Sequence, residues 1–105
     1  MLGSHCPWRW PLIGVFGLLG ACVTTPPVQE MSDARQAIAA AVDAEAGRHA
    51  PETLDEARRY LETAQQQLQQ QSYGPARANA VRAKNRATQA LTTSRAVSGS
   101  AAESY

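Results

Sequence analysis

From Leu54 to Leu91 the apolar residues repeat at heptad spacing on both sides of a single sharp turn. Leu54, Ala57, Leu61, Ala64 and Leu68 follow one another at intervals of 3, 4, 3 and 4. After the stretch QSYGPA (Gln71 to Ala76) the pattern resumes with Ala76, Ala80, Ala83, Ala87, Ala90 and Leu91. Such a repeat keeps one seam of a helix facing a partner over its whole length. Gly74 is expected to end one helix and Pro75 to open the next, since glycine tolerates a left-handed cap and proline the first helical turn. The connection is short, so the two helices should lie antiparallel. A seam made almost wholly of alanine lets two backbones approach to the lower end of the usual ~8–10 Å separation. The chain therefore reads as all-α: a small antiparallel helical hairpin or a three-helix bundle.

The third element lies upstream. A first helix is expected from about Ser32 to Ala46, with Ser32 or Asp33 as cap and the Asp33/Gln36 pair at capping-box spacing. Ala34, Ile38, Ala41, Val42 and Glu45 follow one face, all apolar but the last. Gly47 stands where a left-handed cap is wanted. Pro51 suits the first turn of a second helix running to about Gln71, where Thr53 and Glu56 again have capping-box spacing. Glu52, Asp55 and Glu56 complement the positive end of that helix. A third helix should run from Pro75 to about Arg95.

The core these helices enclose is thin. The hydrophobic fraction is 44%, but aromatics make up only 6% and much of the remainder is alanine. Ile38, Val42, Leu54, Leu61, Leu68, Val81 and Leu91 are the large apolar side chains, with Tyr60 and Tyr73 at the edges. A core of this size supplies about 3–5 kcal/mol. The expectation is a marginal monomer, or one completed by a protein partner or by self-association through the seam.

The first 21 residues have the character of an export signal. Arg9 and the amino terminus give the positive region, and PLIGVFGLLGA (Pro11 to Ala21) the apolar run. That run is well short of the ~20 residues that cross a bilayer. It ends in Leu19, Gly20, Ala21 and Cys22, which resembles a bacterial lipobox. The chemistry accounts for the pattern. The Cys22 thiolate takes a diacylglyceryl group, the peptidase cuts between Ala21 and Cys22, and the small side chains let the backbone enter its cleft. Two or three acyl chains, at about 0.8 kcal/mol per buried methylene, anchor far better than one. Cys6 would leave with the signal, so no disulfide framework is expected. Val23 is not the aspartate that favours inner-membrane retention in enteric bacteria. The expected place is thus the outer membrane, lipid-anchored and facing the periplasm.

These features divide the chain into a signal (1–21), a lipidated cysteine with a Pro-containing tether (22–31), a helical domain (32–95) and a frayed tail (96–105). Pro26 and Pro27 favour an extended tether.

Nothing in the sequence favours catalysis, a cofactor or a metal. His49 is the one histidine beyond the signal and has no cysteine or second histidine nearby. Glu52, Asp55 and Glu56 are read as helix-end acids rather than an acid–base pair. The Gln65–Gln71 run is read as a polar helix face. The net charge of +1 gives no bias toward nucleic acid. Charge is nonetheless uneven: the third helix carries Arg77, Arg82, Lys84 and Arg86, with Arg95 at its end, while acids dominate between Glu30 and Glu62. Arg77, Lys84 and Arg95 fall on one flank of the alanine seam, and Arg82 and Arg86 on the other. They either pair with acids of the first two helices or contact an anionic polymer such as peptidoglycan or lipid phosphates.

The lipobox and the pattern APETLDEARRYLETAQQQLQQQSYGPARANAVRAKNRATQAL (Ala50 to Leu91) resemble a family of short, alanine-rich helical bacterial lipoproteins of uncharacterised function. In longer relatives this segment precedes an OmpA-type peptidoglycan-binding domain. No such domain is read here, so the resemblance carries over neither wall binding nor catalytic residues. The Y-x-x-A of Tyr73 to Ala76 and the alanines that follow also resemble one tetratricopeptide-like helix pair, but about three repeats are needed for a stable stack.

Overall fold

The computed structural model describes residues 25–103. Among them the chain is all-α, with four helices and no strand: α1 (Val28–Asp43), α2 (Ala46–His49), α3 (Pro51–Gln69) and α4 (Tyr73–Glu103). Met31 of α1, Ala64 of α3 and Ala80 of α4 share one buried cluster. Ala41, Leu54 and Ala90 share another, together with Ala46 and Ala50. Numbers rise together along α1 and α4 and fall along α3. So α1 runs parallel to α4, and α3 antiparallel to both. This is a three-helix bundle in which α4 is the element against which α1 and α3 both chiefly pack.

The heptad reading of α4 holds along its whole packed length. Ala76, Ala80, Ala83, Ala87 and Ala90 are fully buried. Ser94 continues the stripe, also buried, and its hydroxyl donates to the Ala90 carbonyl at 2.8 Å. That back-bond lets a polar side chain occupy an apolar position without an unsatisfied group. On α3 the fully buried residues are Leu54, Ala57 and Ala64, whereas Leu61 and Leu68 are half-buried. Leu61 and Leu68 pack against the Met31, Ala64 and Ala80 cluster from its edge.

Several boundaries differ from the sequence expectation. The first helix begins at Val28, not Ser32, because Pro27 takes the cap position and its carbonyl accepts from the Met31 N–H at 3.1 Å. Ser32 and Asp33 lie inside the helix, where they bond Gln36 and Gln29 rather than capping. Met31, assigned to the tether, is 1% exposed and is the largest wholly buried side chain. Its burial requires the extra turn. Val42 faces solvent instead of the core. The Thr53/Glu56 box is not formed: α3 opens with Ala50 as cap and Pro51 at its start, without a side-chain cap bond.

The turns place the left-handed residues elsewhere than at glycine. Glu45 and Gln71 both have φ of 63°, while Gly47 lies within α2 and Gly74 in the first turn of α4. Around Gln71 the geometry is a Schellman motif: the Ser72 N–H donates to Gln67 O at 2.8 Å and the Gln71 N–H to Leu68 O at 3.0 Å. The cap thus falls three residues before the glycine, and Pro75 sits in the first turn of α4, where no N–H is required.

At its far end α4 continues to Glu103, through the stretch expected to fray from residue 96. Residues 95–99 are exposed, so this part of α4 extends past the last buried position, Ser94. No described helix is long and apolar enough to cross a membrane. Ala21 and Cys22, with the rest of the signal, lie outside the described residues.

Candidate functional site

The heptad stripes decide which side chains flank the helix contacts. On α3, Glu56, Arg59, Tyr60 and Thr63 recur at i, i+3, i+4 and i+7, on a face beside the buried Ala57 and Ala64. On α4, Arg82, Asn85, Arg86 and Gln89 do the same beside Ala83 and Ala87. The antiparallel packing brings these two rows together. Two recesses of about 320 Å³ each share Tyr60: one lies on the α3 row itself, the other between Tyr60 and the α4 row. One is walled by Glu56, Arg59 and Thr63, the other by Arg82, Asn85, Arg86 and Gln89.

Arg86 spans the groove. Its Nε lies 3.5 Å from Glu56 Oε2, and its Nη1 donates to Gln89 Oε1 at 3.1 Å. Arg82 donates to Asn79 Oδ1 at 3.1 Å, and Asn79 in turn donates to Gln67 Oε1 across the helix pair at 2.8 Å. Arg59 makes no ion pair among the described residues. Arg59, Arg82 and Arg86 thus line the two recesses that share Tyr60, and Glu56 is the single carboxylate residue among the lining side chains. Guanidinium forks match carboxylates bidentately. The ring offers a flat apolar face with a polar tip.

The structure divides the four cations singled out on the third predicted helix. Arg82 and Arg86 share the Tyr60 groove. Arg77 is on the α1 side, where its Nε lies 3.4 Å from Glu30 Oε2 and its Nη2 donates to the Thr25 carbonyl at 3.0 Å. Lys84 is exposed and lines neither recess. The four do not form one patch: Arg77 fastens the segment leading into α1, and Arg86 pairs with α3. The remaining ion pairs, Arg48–Glu45 at 3.5 Å and Arg58–Asp55 at 3.8 Å, are local and exposed and add little.

Of the seam residues, Leu54, Ala80, Ala83 and Ala87 are buried together along α3 and α4, and Leu61 and Leu68 are half-buried beside them. His49 ends α2, half-buried. Among the described residues no group of three His, Cys, Asp or Glu side chains is arranged to hold a metal ion. Arg59, Asn85 and Gln89 were not singled out from sequence. Their signal was the row beside each stripe: positions 82, 85, 86 and 89 carry a polar hydrogen-bonding group at every step.

No curated protein and no solved structure matches the chain. A family profile matches residues 29–103, which takes in all of α1 except its first residue and all of α2, α3 and α4. With its helical bundle and that match over most of its length, the chain belongs to DUF4398, a domain family of unknown function.

Proposed function

We propose that this chain is a non-catalytic envelope lipoprotein whose helical bundle is an interaction or structural module, held at the outer membrane by acyl chains on Cys22 and facing the periplasm. The observation that carries the reading is the apolar run ending in LGAC a few residues before the bundle. The geometry beyond it is compatible with a short leash. Arg77 holds the Thr25 carbonyl, Pro27 is buried, and α1 starts at Val28. From Cys22 to Thr25 the chain reaches at most ~11 Å. The tether is thus shorter than a 22–31 segment would give, and the α3–α4 turn end of the bundle would face the bilayer. Metabolic labelling with a fatty-acid probe tests the anchor. Cys22→Ser should abolish both label and cleavage; a labelled serine variant, or a mature species beginning elsewhere, would refute it.

A second reading, binding to an anionic envelope polymer, is supported by the exposure of Arg82 and Lys84 on α4. It predicts co-sedimentation with isolated sacculi or anionic vesicles that weakens as salt rises.

A further inference from the structure

The Tyr60 groove has a composition that selects among anionic ligands. We infer that it is a binding site for a carboxylate-bearing sugar within a glycan chain. Arg59 and Arg82 stand at the two recesses with no carboxylate partner among the described residues. Each presents a planar fork suited to a carboxylate. Tyr60 lines both recesses and is half-buried, so part of it remains accessible from each. A sugar's C–H face stacks on such a ring. Asn85 and Gln89 add amides that both donate and accept, as hydroxyl and acetamido groups require. A bare phosphate uses the guanidinium groups but not the ring or the amides. Two adjoining recesses, each at the low end of the ~300–1,000 Å³ of small-ligand sites, suit consecutive residues of a chain.

Two sources share this chemistry: aminosugars of cell-wall glycan whose lactyl carboxylate is free because the stem peptide has been removed, and hexuronate polysaccharides. The proposal rests on the envelope reading only for the supply of such polymers. Loss of fatty-acid labelling would refute the anchor and leave the groove standing, whereas failed sugar binding would leave the anchor intact.

The test is calorimetric titration of the full chain, in a polyoxyethylene detergent free of sugar, with four probes. These are a peptide-free muramic-acid-containing glycan fragment with its lactyl carboxylates free, a hexuronate oligomer, a neutral N-acetylglucosamine oligomer and phosphatidylglycerol vesicles. One of the two acidic glycans should bind at least tenfold more tightly than the neutral oligomer, and which one identifies the source. Tyr60→Ala and Arg82→Gln should each weaken that binding tenfold or more. Tyr60→Phe should retain it, and Lys84→Gln, outside the groove, should change it less than twofold. If Tyr60→Ala loses helix content by circular dichroism, Arg82→Gln at its exposed position decides against Lys84→Gln. The proposal is overturned by equal binding of neutral and acidic glycans, by equal loss in Lys84→Gln and Arg82→Gln, by binding to vesicles alone, or by no binding.

Discussion

Replacing Leu54 by alanine removes the one large side chain that is wholly buried in the cluster where α2, α3 and α4 meet. Leu54 is 2% exposed. Its buried neighbours are Ala41, Ala46, Ala50 and Ala90, with Ile38 and Leu91 packed at the edge. Three carbons are lost, worth ~2.4 kcal/mol at about 0.8 kcal/mol each. A cavity term adds to this, because surrounding alanines have no rotamers with which to fill the space. The cost should thus fall near ~3–4 kcal/mol, within the usual ~2–5 kcal/mol for buried leucines. A core this small supplies about 3–5 kcal/mol in all. Leu54→Ala should therefore leave much of the population unfolded at 25 °C, while Leu61→Ala, at a half-buried site, should cost roughly half as much. Urea titration followed by circular dichroism at 222 nm measures both. If Leu61→Ala is as damaging as Leu54→Ala, the burial order along α3 is wrong. If the parent's midpoint rises with protein concentration, a second copy completes the core.

Ala83 is fully buried on the α4 stripe, so Ala83→Leu should destabilise by about 1–3 kcal/mol by forcing the helices apart, read in the same titration. At Gln71 φ is 63°, so Gln71→Gly should be neutral to stabilising by up to ~1 kcal/mol, as relief of left-handed strain outweighs the added freedom of the unfolded chain. Gly47 lies within α2 with no positive φ and with open space where a Cβ would stand, so Gly47→Ala should raise the melting temperature, by the equivalent of roughly 0.5–1 kcal/mol. Arg77→Gln should speed amide hydrogen exchange over the first turn of α1 without shifting exchange in α3, since it cuts the links to Thr25 and Glu30 alone.

What could be read from sequence followed the heptads. The α3 and α4 stripes fixed the antiparallel pair because alanine and leucine at 3–4 spacing have few other ways to be buried. The same rule, carried back through Met31, Ala34, Ile38 and Ala41, gives 3, 4, 3 and would have placed the start of α1. Ser32 and Asp33, with the side chains of good caps, compete with that reading. Capping preferences are worth ~1 kcal/mol, and burying a methionine outweighs them. Glycine misled for a similar reason. Gly47 and Gly74 permit a left-handed turn, but where the turn falls is set by how much helix the packing needs, and that put it at Glu45 and Gln71. The groove was only half legible. Arg82 and Arg86 stand out as charges, but their meeting with Tyr60, and that of Arg86 with Glu56, depends on the register of α3 against α4, which periodicity alone leaves open.

The position of the groove along α4 bears on what it can meet. Arg77, which holds the segment leading from the anchor, lies in the second turn of α4. At 1.5 Å per residue, Arg82 to Gln89 lie roughly 8–18 Å farther along that helix, and Glu103 roughly 39 Å. On the anchored reading, α4 runs from its tethered end into the periplasm. Its groove would then stand about one to two Debye lengths from the level of Arg77 at physiological salt. Lipid phosphates would act only weakly on Arg82 at that distance, whereas Arg77, nearest to them, is already engaged with Glu30 and Thr25. A free cation on the groove is thus better placed for a polymer in the periplasmic space than for the membrane that holds the chain. A variant in which three further helical turns separate Cys22 from Thr25 separates the cases. Glycan binding in the groove should not change, while any contribution of the bilayer to affinity should disappear.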